Sequence, residues 1–157
     1  METKSPLQIG DKVPTFSLRD QNQEKMKLSD FLGNRVLLSF HPLAWTPVCR
    51  DQVKGLEANS ARFHKHRVKV FSLSVDSVPC KKAWADSLGI ENLRLLCDFW
   101  PHGQVAGRFG LFREQQGFSE RANLLIDAQG CLEWRKIYDI PQLPDLEEIF
   151  AFLEQGA

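Results

Sequence analysis

The sequence has no Cys-x-x-Cys pair: its four cysteines stand apart at positions 49, 80, 97 and 131. Such sparse spacing excludes the disulfide framework of a small secreted domain and a structural zinc site. An excess of one charge is missing too, since Lys plus Arg and Asp plus Glu number 20 each. Nothing in that balance favours nucleic acid or an anionic membrane as a partner. No stretch approaches the roughly 18 apolar residues of a membrane span, and the opening METKSPLQIGDK lacks the apolar core of a signal peptide. A cytoplasmic protein is expected, with its cysteines starting as thiols and with no cofactor. Internal repeats, low-complexity tracts and linkers are also absent. The 157 residues, 43% hydrophobic and 25% charged, are expected to form a single globular domain over 1–157. A domain of that size buries about 70% of its unfolded surface.

What the chain does have is concentrated between Leu37 and Gln52, LLSFHPLAWTPVCRDQ. The apolar run from Val36 to Phe40 reads as a buried strand that stops at Pro42, which cannot donate to a sheet ladder. Pro47 then opens a helix with Thr46 as N-cap, which places Cys49 at N3 beside free backbone N–H groups. Free cysteine is often a small buried hydrophobe. Here the strand, turn, cap and thiol follow in the order that a nucleophile at a helix start requires, and that position favours thiolate.

The helix is expected to run to about His66, with Cys49, Val53, Leu56, Ser60 and Phe63 on one face and a weak point at Gly55. Val68 to Val75 alternates as a strand, and strand, helix, strand implies a right-handed parallel crossover. Ser77 caps a further helix that Gly89 ends. Leu93 to Leu96 is a short strand, and Gln104 to Phe109 a short helix. Arg121 to Ile126 and Cys131 to Tyr138 form a hairpin with Gly130 in the left-handed position, and DLEEIFAFLEQ is a terminal amphipathic helix. Upstream, Val13 to Leu18 reads as an outer strand before a polar turn at Asp20 to Lys25, and Leu28 to Phe31 as a helical turn closed by Gly33. The sum is a three-layer α/β fold with mixed strand directions.

Pro42, Thr46 and Cys49 stand as Pro-x-x-x-Thr-x-x-Cys, which resembles the active-site signature of the peroxiredoxins, the alkyl hydroperoxide reductase and thiol-specific antioxidant family. The opening GDKVPTFSLRDQNQEKMKLSDFLG is similar to how that family begins. The resemblance covers nearly the whole chain and implies a thioredoxin-like fold with an N-terminal extension. It also implies a thiol peroxidase that reduces hydrogen peroxide or organic hydroperoxides. Thioredoxin, glutaredoxin or a similar thiol would then be the reductant, and a homodimer would be in keeping with the family.

A thiolate that attacks one peroxide oxygen drives negative charge along the O–O axis, so donors are needed there. Thr46 can supply a hydroxyl, and Pro42 would shape the turn and shield the thiolate. Residue chemistry alone cannot choose the cation among 20 basic residues. The resemblance points to Arg121, because SERANLLIDAQG matches the segment where the family carries an arginine. Arg50 reads as a solvated charge, His41 as a turn residue, and His64 and His66 as solvated; His102 is not expected at the site. Trp84, Phe40 and Trp45 read as apolar packing, Trp45 at the pocket border.

The sulfenic acid formed at Cys49 can condense with a second thiol. Cys80, in the first turn of the next helix on the same rim of the sheet, is the leading candidate; Cys97 and an outside thiol remain alternatives, and Cys131 reads as structural. Position 54 is lysine and no cysteine follows Cys131, so two arrangements seen in the family are excluded. The other reading is a redox-sensing or partner-binding module without peroxidase turnover.

Overall fold

The computed structural model describes residues 5–155. The chain enters through a small antiparallel hairpin, β1 (Ser17–Arg19) against β2 (Lys25–Lys27). Asp20 makes the turn: its Oδ1 accepts the backbone N–H of Asn22 at 2.8 Å and of Glu24 at 3.0 Å. The outer strand thus lies later than expected, because Val13 and Phe16 are buried in the core as irregular chain. A 3-10 turn over Leu28–Phe31 follows as expected, and Gly33 takes φ 100° after it.

The central strand β3 (Arg35–Phe40) is buried on both faces, which its uninterrupted apolar run requires. After it come α1 (Pro47–Ala58) and α2 (Ser60–Lys65), two helices where the periodicity suggested one. The interruption is at Asn59, not Gly55. Asn59 Nδ2 donates to the Gly55 carbonyl at 2.8 Å while its own backbone, at φ −98° and ψ 13°, leaves the helix. Next are β4 (Val68–Ser74) and α3 (Val78–Leu88), the helix capped by the Ser77 hydroxyl and closed by Gly89 at φ 69°. Then follow β5 (Arg94–Cys97), α4 (Gln104–Arg108), a two-residue hairpin of β6 (Phe112–Arg113) with β7 (Phe118–Ser119), β8 (Arg121–Ile126), β9 (Leu132–Tyr138) and α5 (Leu146–Gln155).

The main sheet has the order β5-β4-β3-β8-β9, with β5, β4 and β3 parallel and β8 antiparallel to both of its neighbours, β3 and β9. The strand period of two sends alternate residues to opposite cores. Val36, Leu38, Phe40, Phe71 and Leu73 join Phe16, Met26 and Phe109 on one face. Leu37 and Leu125 join Val53, Leu56, Phe63, Trp84, Ile149 and Phe150 on the other. Helices α1, α2, α3 and α5 therefore cover one face, while α4 and the N-terminal segment cover the other. Among the described residues no helix is long and apolar enough to cross a membrane.

One carboxylate ties the helix layer to the sheet. Glu57, in the last turn of α1, accepts the backbone N–H of Leu93 at 2.8 Å, that of Asn92 at 3.1 Å and the Asn92 amide at 3.0 Å. Burial pushes its carboxyl up, but the hydrogen bonds from Leu93 and Asn92 outweigh it and hold the group below its ordinary value. A depressed folded value contributes stability above the unfolded value and loses it as pH falls through the folded one. Glu57→Gln is therefore expected to cost about 1 kcal/mol at pH 7. Urea unfolding of parent and variant should show that difference shrinking as pH drops below about 4.5.

Candidate active site

Parallel strands end on a common rim. Phe40 lies opposite Leu73 and Ser74 opposite Cys97, so β3, β4 and β5 all finish on one side of the sheet. Antiparallel β8 begins there, with Ala122 opposite Phe40. This topology brings Arg121 to the start of α1, across 72 residues of sequence. Its Nη1 donates to Cys49 Sγ at 3.3 Å and to Gln52 Oε1 at 2.9 Å, and its Nε donates to the Ile140 carbonyl at 2.8 Å. Among the described residues the hydrogen bonds of the guanidinium run from Nε and Nη1, and none from Nη2. Arg121 and Cys49 are both buried, at 3% and 1% exposure, in an environment where a charge-assisted contact is little weakened by solvent.

Gln52 was not singled out from the sequence. It is fully buried, and while its carbonyl holds Arg121 its amide donates to Ser39 Oγ at 2.7 Å and to the Phe40 carbonyl at 3.2 Å. The signal was present: Gln52 follows Cys49 by three, so both lie on the buried helix face with Val53 and Leu56.

Thr46 occupies the N-cap position of α1, but its side chain does not cap the helix. The hydroxyl donates instead to the Leu43 carbonyl at 2.7 Å, three residues back. The loop turns sharply enough for this because Trp45 adopts φ 68°, an uncommon conformation for a bulky residue. That turn also sets Trp45 outward at 56% exposure, so it is a surface residue and not core packing. Pro42 is buried beneath the loop, and Arg50 is exposed and paired with its neighbour Asp51.

His41 departs from expectation. It is no loose turn residue: its backbone N–H extends the sheet by bonding the Leu73 carbonyl at 3.0 Å, and its ring packs on Trp84 with centroids 5.5 Å apart. The ring is fully buried with neither nitrogen hydrogen-bonded to the described residues. Burial, reinforced by the charges of Lys81 and Arg121, holds it well below the ordinary histidine range, so it is neutral. His64 is exposed and His66 half-buried against Phe150. His102 lies on the surface with Nε2 2.6 Å from the Gly117 carbonyl.

The other cysteines occupy different settings. Cys80 is half-buried in the first turn of α3, with Sγ 3.8 Å from Asp76 Oδ1. Asp76 Oδ2 in turn accepts the Ala44 N–H at 2.8 Å and the Ser74 hydroxyl at 2.6 Å, so one carboxylate touches both the loop before Cys49 and the Cys80 thiol. Burial and the Asp76 charge push the Cys80 thiol up; a Trp45 hydrogen bond and Lys81 act the other way. Cys97 ends β5 on the same rim but is buried, and burial pushes its thiol up to about 11. Cys131 follows the far end of the β8–β9 hairpin, bridged to Lys12, at the opposite edge of the sheet from Arg121.

Comparison with known proteins agrees with this arrangement. The model of the AhpC/TSA family matches residues 9–135. Alkyl hydroperoxide reductase E of Mycobacterium tuberculosis is 36% identical over 132 residues, covering 83% of this chain and 86% of that protein. Peroxiredoxin Bcp of Escherichia coli is 37% identical over 135 residues, covering 82% and 85%. Among solved structures, AhpC of Enterococcus faecalis superposes with a TM-score of 0.86 at 27% identity, covering 94% of this chain and 91% of that one. The chain therefore belongs to the AhpC/TSA family and has the thioredoxin-like fold of a peroxiredoxin.

Proposed function

We propose that the protein reduces hydrogen peroxide and organic hydroperoxides through Cys49, and that Cys80 resolves the resulting sulfenic acid as an intramolecular disulfide. The observation that carries this reading is the 3.3 Å contact between Arg121 Nη1 and Cys49 Sγ, with Gln52 fixing the guanidinium from behind. The Cys49 thiolate attacks one peroxide oxygen, the O–O bond breaks, and the departing oxygen leaves as water or alcohol after taking a proton. Arg121 offers a fixed positive fork to the thiolate and to the oxygen that gains charge. The Thr46 hydroxyl has its single proton committed to Leu43, so toward a peroxide it acts as the acceptor that orients the O–H. Pro42 keeps water from the sulfur.

Support for Cys80 over Cys97 comes from accessibility. Cys80 is half-exposed in the first turn of a helix, where opening costs least, whereas Cys97 is buried in a strand. A disulfide needs α-carbons about 4.4–6.8 Å apart, and two helix starts on one rim of a sheet usually lie farther apart than that, so the first turn of α1 or α3 is expected to unwind in each cycle. A dithiol protein of thioredoxin or glutaredoxin type then reduces the bond, in the cytosol, and a homodimer is the assembly in keeping with the family.

Intact-mass measurement after one equivalent of peroxide, followed by tryptic mapping, tests the reading. The parent should lose two hydrogens and yield a linked Cys49 to Cys80 peptide. The Cys80→Ser variant should gain one oxygen instead and recycle poorly with thioredoxin. Recycling of that variant at the parent rate rules Cys80 out.

A further inference from the structure

Asp76 follows β4 by two residues, on the rim that carries Cys49, and joins three segments through one carboxylate. Its Oδ2 accepts the Ala44 N–H at 2.8 Å and the Ser74 hydroxyl at 2.6 Å, which fastens the loop leading to Cys49 onto the end of β4. Its Oδ1 lies 3.8 Å from Cys80 Sγ, within reach of that weak donor. No ion pair among the described residues includes Asp76. Fastening the loop needs Oδ2 alone. The other oxygen faces a thiol, and an anion beside a thiol opposes its ionisation. The two thiols at helix starts on this rim are thus set oppositely: Cys49 has a guanidinium nitrogen at 3.3 Å, and Cys80 a carboxylate oxygen at 3.8 Å. The first turn of a helix by itself favours thiolate. At Cys80, burial and the Asp76 charge push the thiol up, against a Trp45 hydrogen bond and the charge of Lys81, which is buried with Nζ 3.4 Å from the Leu96 carbonyl.

We propose that Asp76 is the positioning residue for resolution: it keeps Cys80 as a thiol in the closed enzyme and ties that thiol to the loop before Cys49, so that Cys80 becomes a nucleophile only when this joint opens. The inference rests on the reading of Cys80 as the resolving thiol. In the closed enzyme peroxide meets one thiolate, that of Cys49, and Cys80 does not compete for it. Oxidation of Cys49 to the sulfenic acid leaves the joint in place. Unwinding the first turn of α3 then draws Cys80 away from Oδ1, and loosening the loop before α1 takes the Ala44 N–H from Oδ2. Away from the carboxylate, Cys80 releases its proton to water, and its sulfur lone pair forms the S–S bond. The Cys49 S–O bond breaks, and hydroxide takes up a proton and departs as water. The Cys80 sulfur is oxidised and the Cys49 sulfur reduced, so the step needs no outside electron donor. The order of the two reactions follows from one carboxylate.

Asp76→Asn keeps the shape of the side chain and removes its charge. The amide oxygen can take the place of Oδ2 toward Ala44 and Ser74, which turns the amide N–H group toward Cys80. Iodoacetamide labelling of Cys80 in the reduced full chain, followed by mass from neutral to alkaline pH, should then show a midpoint about one pH unit below the parent's and labelling near pH 7 about tenfold faster. A residue that only fastened the loop would leave that midpoint where it was. An unmoved midpoint beside a parent that forms the Cys49 to Cys80 bond overturns the role of Asp76 and leaves Cys80 standing as the resolving thiol. A parent that forms no such bond after one equivalent of peroxide overturns both. Asp76→Ala removes the acceptor for Ala44 and Ser74 as well. Stopped-flow tryptophan fluorescence, with the disulfide mapped by mass, should show the ratio of the resolution rate to the oxidation rate rising about tenfold, because the joint no longer has to be broken. A ratio at or below the parent's overturns the tie between thiol and loop.

Discussion

Arg121→Met is expected to lower the second-order rate constant for oxidation of Cys49 by hydrogen peroxide by two to three orders of magnitude. A hydrogen bond to a charged group contributes about 1.5–3 kcal/mol, and each 1.4 kcal/mol is about tenfold in rate. Arg121 is placed to act twice, once on the thiolate it touches at 3.3 Å and once on the peroxide oxygen that gains charge. The two together give about 3–4 kcal/mol of lost transition-state stabilisation. Methionine fills much of the space but leaves the Gln52 Oε1 and Ile140 carbonyl acceptors without a donor. Arg121→Lys separates charge from geometry. A single ammonium cannot hold Cys49, Gln52 and Ile140 at once, so it should recover only part of the rate. The four tryptophans report the reaction directly. A parent-like constant in Arg121→Met would remove the guanidinium from the chemistry.

Much of the fold was readable because its longer elements carry a period. Strand β3, helix α1 and strand β4 stand where apolar runs and steps of three and four put them, and the Gly130 turn joins β8 to β9. Strands of two or three residues, such as β2, β6 and β7, have no period to read. The break at Asn59 and the direction of the Thr46 hydroxyl were decided by which carbonyl each side chain could reach, a matter of three-dimensional geometry. At the site, Cys49 was legible from its cap, proline and spacing. Arg121 came through family likeness, because no local pattern distinguishes one arginine from another across 72 residues. Gln52 and Lys81 were visible and passed over. Lys81 lies with Trp84, Ala85 and Leu88 at steps of three, four and seven, on the apolar side of α3, whereas its neighbour Lys82 faces solvent and pairs with Asp86 at 3.1 Å. A polar residue on an apolar helix face was the signal in both cases.

Gln52→Leu should slow peroxide reduction by about one to two orders of magnitude, although Gln52 has no contact with the sulfur among those formed. Leucine conserves volume and removes both ends of the amide. Arg121 then keeps the Ile140 carbonyl on Nε but loses the acceptor that sets Nη1 in line with Cys49. A displacement of about 1 Å in a positioned group can cost about a hundredfold. The variant should also lose about 1–3 kcal/mol of stability, because the Ser39 hydroxyl and the Phe40 carbonyl are left buried without the amide. Gln52→Glu distinguishes positioning from electrostatics. Its carboxylate could still accept from Arg121, so a purely positional role predicts a nearly normal rate. An anion there also competes with the thiolate for the same Nη1, which predicts slow reaction at neutral pH. If electrostatics governs, acidification that protonates the carboxyl should narrow the gap to the parent. A Gln52→Glu enzyme that is fast at neutral pH, beside a slow Gln52→Leu, would assign Gln52 to aiming the guanidinium alone. Two slow variants, with only the acid form recovering, would mean that the sulfur depends on having that edge of Arg121 to itself.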